Sequence, residues 1–312
     1  MNSDELQSTA DILMIRPVRF GSNPETLESN RFQTAQSELA AGAQLAAAAE
    51  FDGLAAALRA AGVNVHVFED TPEPHTPDSL FPNNWVSFHA DGSVVLYPML
   101  APNRRAERRN DLLEALSARH GFRIRRVLDL TPHEGAGKFL EGTGSLVLDR
   151  VHRIAYACVS PRTDLDVLGD FAQQLDYEVV AFEAVDAGGA PIYHTNVLMC
   201  IGTRFAAVCS ACIREDERAA VLDALRTTGH TLVDLSMEQL GAFAGNMLEL
   251  RSARSGHVVA MSSRALDSLS PQQRGLIEQH AGPIVAAPIP TIETLGGGSV
   301  RCMLAEIHLQ RK

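Results

Sequence analysis

The sequence predicts an α/β fold made of five repeated units, each a strand, a second strand, a helix and a third strand. Three observations predict it. Short apolar runs alternate with longer amphipathic ones from end to end, which excludes an all-β architecture. The pattern recurs at intervals of roughly 50 to 60 residues, in the range of arrayed or propeller-like architectures. The first strand of each unit is preceded by a polar residue, so equivalent polar groups gather at one end of the array. A closed ring of five ββαβ units, strands around an axis and helices outside, accommodates all three; an ordinary α/β sandwich is the alternative.

Each element has its own justification. The stretch from Arg31 to Gly62 is rich in Ala, Leu, Glu and Gln, and reads as a helix whose apolar face carries Leu45, Phe51, Leu54 and Leu58. The second unit runs from the strand Asn84–Phe88 through a turn at Asp91-Gly92 to Val94–Tyr97. A helix from about Arg105 to Ala118 and the strand Ile124–Leu128 complete it. The third unit is Ser145–Leu148, Ile154–Ala157, a helix Leu165–Leu175 and Val179–Phe182. The fourth is Asn196–Cys200, Phe205–Val208, a helix Glu215–Arg226 and Leu232–Leu235. The fifth is Asn246–Leu250, Val258–Met261, a helix Arg264–His280 and Ile284–Ala287. The end pieces Ile12–Ile15 and Cys302–Ile307 complete the first unit, and with no composition break between units residues 1–312 read as one domain.

Composition narrows the function. The formal net charge is −11 and the sequence pI about 5.4, which favours neither nucleic acid nor an anionic membrane. No apolar run approaches a membrane-spanning length, and the first residues lack a secretory pattern. Five cysteines, an odd number, read as reduced thiols of a cytoplasmic protein. Cys209-Ser-Ala-Cys212 has redox spacing but falls at a strand end, and no second Cys or His pair completes a zinc site. There is no Gly-x-Gly-x-x-Gly after a strand and no phosphate-loop lysine. The expected partner is a small-molecule substrate, with no nucleic acid, membrane, metal or other cofactor; a homo-oligomer is left open.

The chemistry concentrates in four segments, each just before an apolar strand. One is Thr294-Leu-Gly-Gly-Gly-Ser-Val-Arg-Cys302-Met, where glycines release the backbone next to a single cysteine. A thiolate is the strongest side-chain nucleophile. The structural alternative is a turn before a buried strand, with Cys302 a small hydrophobe. Another is Tyr193-His194-Thr-Asn196, whose imidazole can protonate a leaving amine and then activate water. Glu141-Gly-Thr-Gly offers a carboxylate to hold N–H groups and orient that imidazole. Asp78-Ser-Leu-Phe-Pro-Asn83-Asn84 offers amides suited to a neutral urea. Singly, each is an ordinary cap, turn or loop charge; their recurrence at matched places in the units singles them out.

Taken together, these segments resemble the guanidino-group-modifying (pentein) superfamily over roughly Asp11 to Ile307. The resemblance rests on Gly-Gly-Gly-x-x-Arg-Cys302-Met, Glu141-Gly-Thr-Gly, His194 before a strand, and Asp78-x-x-Phe-x-x-Asn84. It implies a five-unit α/β propeller and a catalytic set of Cys302, His194 and Glu141. It implies substrate contacts from Asp78, Asn83, Asn84 and Asn196. Pro102-Asn-Arg104-Arg105 and Ser160-Pro-Arg162 resemble segments that hold the substrate α-carboxylate, a role expected of Arg105 and Arg162. Arginine deiminases carry aspartate where this chain has Asn84 and Asn196, and an amide matches a neutral ureido group where a carboxylate favours a cation. The pattern, with Phe-Pro-Asn-Asn-Trp and Tyr-His-Thr-Asn-Val, looks most like the citrulline utilization hydrolases, often described as amidinotransferases. The expected reaction is hydrolysis of citrulline to ornithine, CO2 and ammonia, with backbone N–H groups of Gly298 to Cys302 as oxyanion donors. The alternatives are a deiminase, dihydrolase or amidinotransferase acting on arginine or a modified arginine, and a non-catalytic amino-acid-binding protein.

Overall fold

The inner strand of each sheet is short and, Arg251 apart, buried, so apolar residues on both of its faces are removed from water. The computed structural model describes residues 5–35 and 40–312. Among them the strands form five separate three-stranded sheets of one pattern. In every sheet the inner strand pairs antiparallel with the middle strand, which pairs parallel with the outer strand. The first sheet joins the two ends of the chain: Asp11–Arg16 lies between Ala305–Glu306 and Asn64–Glu69. The others run Val86–Phe88, Ser93–Leu96, Arg126–Asp129; Val147–Asp149, Ile154–Cys158, Glu178–Phe182; and Met199–Ile201, Phe205–Val208, Thr231–Asp234. The last is Leu248–Ser252, Gly256–Ser262, Ile284–Ala287.

Parallel pairing of middle and outer strands requires a crossover, and each is made by helix. These are Ala40–Ala60, Asn110–Ala118, Leu165–Leu175, Glu215–Thr227, and the pair Ser263–Ser268 and Pro271–Ala281. Leu165–Leu175 shows the local logic. Asp164 caps its first turn by accepting from the N–H of Asp166 and Val167, and Val167, Leu168, Phe171 and Leu175 form its buried stripe. Each fully buried side chain of this size contributes about 1.5–3 kcal/mol. Inner strands of neighbouring units touch: Ala305–Glu306 lies against Val86–Phe88, and Met199–Ile201 against both Val147–Asp149 and Leu248–Ser252.

The expected elements differ from those observed at informative places. The first helix begins at Ala40; residues 31–35 are turns and extended chain that cross to the site, and residues 36–39 lie outside the described residues. The fifth-unit helix is broken because Ser270 and Gln273 form a capping box and Pro271 occupies the first turn. The polar unit openers are not in strands. Asn84 lies on a 3-10 turn, Ser145 and Asn196 on single helical turns, and Cys302 on the 3-10 turn Val300–Met303. Only Ala305–Glu306 of the expected strand Cys302–Ile307 is extended and paired. No helix among the described residues is long and apolar enough to cross a membrane.

Candidate active site

The short turns before the inner strands aim their side chains at one another. Cys302, His194, Asp78, Asn84 and Arg162 all line one pocket, with Arg104, Asn30, Phe81, Tyr193 and Gly296 to Gly298. Glu141, fully buried, lies behind His194.

Glu141 is the electrostatic centre. Its Oε2 accepts from His194 Nε2 at 2.9 Å and from Arg162 Nη1 at 3.3 Å, and lies 3.6 Å from Arg104 Nη1. Its Oε1 accepts from the Leu100 N–H. Burial opposes its ionisation, but Arg162, His194 and Arg104 outweigh that and hold its pKa well below the usual carboxylate range. The ionised carboxylate places the His194 proton on Nε2 and leaves Nδ1 as the free base. Burial, reinforced by the two arginines against Glu141, lowers His194 to about 4, so the imidazole is neutral at pH 7.

The backbone around this pair is close-fitting. A Cβ on Gly144 would lie 2.5 Å from Asn84 Nδ2 and 2.8 Å from His194 Nδ1. Gly144→Ala is therefore expected to displace the imidazole and lower kcat at least tenfold (roughly 1.4 kcal/mol), while far-UV circular dichroism remains that of the parent. Steady-state kinetics checks this.

Cys302 Sγ is 3.3 Å from Asn246 Nδ2 and 3.5 Å from Asn196 Nδ2. No charged side chain donates to it among the described residues. Asn246 also fixes the nucleophile loop, since its Oδ1 accepts from the Arg301 N–H and its Nδ2 donates to Asn196 O. Two N–H groups expected to be available for an oxyanion are already used: Arg301 N by Asn246 and Cys302 N by Ser299 O. The loop is braced from above as well, because Tyr193 Oη and Asn30 Nδ2 both donate to Gly297 O. Gly297 sits at φ +64°.

At the opposite wall, Asp78 Oδ2 accepts from Asn23 Nδ2 at 2.7 Å, while its buried Oδ1 has no partner. Burial raises its pKa against the pull of Arg104. Asn84 is fixed by two bonds: its Oδ1 accepts from Arg104 Nη1 and its Nδ2 donates to Asn83 Oδ1. Asn83 stands behind Asn84 and does not line the pocket. Arg162, buried in the pocket lining, gives Nε and Nη2 to Ser29 Oγ.

Arg105, expected in the pocket, does not line it: its guanidinium turns to Met99 O, Leu100 O and Glu134, and the adjacent Arg104 lines the pocket instead. Both sit on the 3-10 turn Pro102–Glu107, where successive side chains diverge by about 120°. Arg104 pairs with Glu107 through Nε and Nη2, and burial pushes the Glu107 carboxyl up to about 7. Asn246 and Tyr193 were also missed; Asn246 opens the fifth unit as Asn84 and Asn196 open theirs, which was the available signal. Ser29 and Asn30 gave none. The five cysteines are free and buried, the Cys209–Cys212 pair included, and no cluster able to hold a metal occurs among the described residues.

Five like sheets converging on a pocket that holds Cys, His and two arginines define a guanidino-group-modifying enzyme fold, that of the pentein superfamily. Within it the chain belongs to the eukaryotic N,N-dimethylarginine dimethylhydrolase family, which it matches over residues 16–309. No curated protein sequence matches it. Solved structures share its fold. The N-terminal domain of ArgZ, an arginine dihydrolase from the ornithine-ammonia cycle in Cyanobacteria, superposes with a TM-score of 0.72 at 17% identity, covering 95% of this chain and 97% of that one. An AgrE variant in complex with L-arginine gives 0.74 at 18%, covering 95% and 40%. A dimethylarginine dimethylaminohydrolase variant, as an adduct with S-methyl-L-thiocitrulline, gives 0.64 at 14%, covering 96% and 100%.

Proposed function

We propose that this chain is a cofactor-independent cysteine hydrolase, cleaving the ureido group of citrulline to ornithine, CO2 and ammonia. In this reading the five units close as a propeller around the pocket. The observation that carries it is the set of amides at the reacting end. Asn196 and Asn246 flank Sγ, and Asn84 is held between Asn83 and Arg104. A buried guanidinium needs a carboxylate partner, and the side chains recorded against Sγ are amides. A neutral urea needs donors and acceptors, which amides supply.

Cys302 attacks the ureido carbon, and neutral His194 takes the thiol proton. The tetrahedral oxyanion is received by the Nδ2 groups of Asn196 and Asn246. The C–N bond to ornithine breaks as His194 Nδ1 returns the proton to the leaving amine. Water, deprotonated by the same nitrogen, releases carbamate from the S-carbamoyl cysteine, and carbamate falls apart to CO2 and ammonia. The balance is one ureido group and one water to one amine, CO2 and NH3. Glu141 keeps the imidazole in its tautomer, and Asp78, Arg104 and Arg162 receive the amino-acid head group.

A second reading is dihydrolysis of arginine, or action on a modified arginine. Asp78 Oδ1, buried and unpartnered, is an acceptor a cation could use, and ArgZ is an arginine dihydrolase of similar fold. The test is incubation with citrulline and with arginine, quantifying ornithine, citrulline and ammonia. Ornithine from citrulline alone supports the ureido hydrolase. Citrulline from arginine, or ornithine from arginine at the higher rate, overturns it for the second reading; no product from either leaves a modified arginine or a binding role.

The imidazole also sets a pH dependence. A base lowered to about 4 stays neutral as pH falls through 6.5 and is lost only on protonation near 4. The acid limb of kcat/KM is therefore expected near pH 4, checked by a pH–rate profile between 3.5 and 8.

A further inference from the structure

One contact chain runs from Ser29 to the proton-transfer pair. Ser29 Oγ accepts from Arg162 Nη2 at 2.7 Å and from Nε at 3.3 Å. The remaining arm, Nη1, donates to Glu141 Oε2 at 3.3 Å, and the same oxygen receives His194 Nε2 at 2.9 Å. The three inner links are buried, with Arg162 2% exposed, Glu141 0% and His194 2%, while Ser29 is half-buried. Arg162 thus gives one edge to a neutral hydroxyl and a corner to the catalytic carboxylate. Its face lies 5.1 Å from the Tyr193 ring, and Glu141 is its ion-pair partner among the described residues.

We propose that Arg162 is a head-group sensor: an α-carboxylate displaces Ser29 from its guanidinium and thereby makes the Glu141–His194 pair competent for proton transfer. The inference rests on the function proposed above and adds that amino-acid recognition and chemistry are coupled, beyond binding alone.

A carboxylate is a far stronger acceptor for the Nε/Nη2 edge than a hydroxyl, and the match is bidentate. Seated there, it offsets the positive charge that Arg162 exerts on the imidazole. The charged groups facing His194 are Glu141, Arg162 and Arg104, with the Tyr193 ring 4.7 Å away and Asp78 and Cys302 in the same pocket. Of these, Arg162 and Arg104 oppose the imidazolium and Glu141 favours it. Neutralising Arg162 therefore raises the proton affinity of Nδ1 only when a carboxylate is bound. The imidazole that must take the thiol proton becomes a better base on substrate binding. A ureido compound without the carboxylate meets the poorer base even when saturating.

The test uses matched ligands. Citrulline is compared with N-carbamoylputrescine, which lacks only the carboxylate, and with 5-ureidovaleric acid, which lacks only the amine. The sensor predicts a kcat for N-carbamoylputrescine at least tenfold below that of citrulline. It predicts a 5-ureidovaleric acid kcat within about threefold of citrulline, with the lost amine felt in KM. Equal kcat for citrulline and N-carbamoylputrescine, with a difference in KM alone, would overturn it while leaving the citrulline hydrolase intact. A measurement without turnover separates the two. The imidazole titration of His194, assigned by comparison with His194→Gln, is followed by NMR with ornithine and with putrescine. Ornithine is expected to move the midpoint upward by roughly one to two units and putrescine to leave it in place. A shift with ornithine and no citrulline turnover keeps the sensor and removes the reaction; no shift, or no ornithine binding, removes the sensor. Ser29→Ala is expected to tighten ornithine binding a few-fold, because nothing then has to be displaced, whereas weaker binding makes Ser29 a fixed support and overturns the displacement.

Discussion

Cys302→Ala is expected to lower citrulline turnover by about 10⁴-fold or more, the scale on which loss of a nucleophile acts. No other thiol lines the pocket, so no neighbour can replace it. The fold should survive. Cys302 is 3% exposed, and truncating one sulfur from a packed turn costs about 1 kcal/mol, well inside the stability of a domain of this size. Of the two amides that faced Sγ, Asn246 keeps its bonds to Arg301 N and the Asn196 backbone O. The check is ornithine release beside a thermal melt, together with mass mapping of the quenched parent enzyme. A carbamoyl adduct on Cys302 is expected. Turnover within tenfold of the parent would exclude covalent catalysis through this residue.

Glu141→Gln is expected to fail twice. Three groups share Oε2: His194, Arg162 and Arg104. The amide preserves shape but removes the charge, leaving buried Arg162 without its ion-pair partner while Arg104 keeps Glu107. Breaking one partner of such a group costs about 3–5 kcal/mol, so the melting temperature should fall by several degrees. The hydrogen bond lost is smaller, about 1–3 kcal/mol, so the charge effect decides stability. Activity should fall by about 10²–10⁴-fold. A glutamine amide turned toward Nε2 favours the wrong tautomer, with the proton on Nδ1. Glu141→Asp, which keeps the charge but shortens the reach, should recover stability more than kcat. If both variants melt like the parent and turn over like it, Glu141 does not order the imidazole.

The nucleophile loop, His194 and Glu141 were legible because their chemistry is carried by residue types found at matched positions in the repeat. Asn84 was legible for the same reason, and Asn246 could have been, since it opens the fifth unit as Asn84 opens the second. The choice between Arg104 and Arg105 was not legible. The two are adjacent, identical in type and on a turn whose rotation no periodicity reveals, and burial against Glu107, Asp78 and Glu141 selects one. The role of the stretch after residue 22 was also hidden. It reads as polar loop, yet Asn23 reaches Asp78, Ser29 reaches Arg162 and Asn30 reaches Gly297.

The sequence by itself determined the five-unit α/β repeat, the pentein resemblance, the cysteine, histidine and glutamate expected to do the chemistry, and the amides where related deiminases carry aspartate. These follow from local spacing and residue type, which hydrophobic burial converts directly into strands and helices. Only the tertiary structure decided which arginine enters the pocket, which amides touch Sγ, how Glu141 joins both arginines to His194, and that an N-terminal hydroxyl rests on Arg162. Those depend on side-chain direction and on charges brought together from distant parts of the chain, where burial strengthens each interaction and no local pattern encodes the partner.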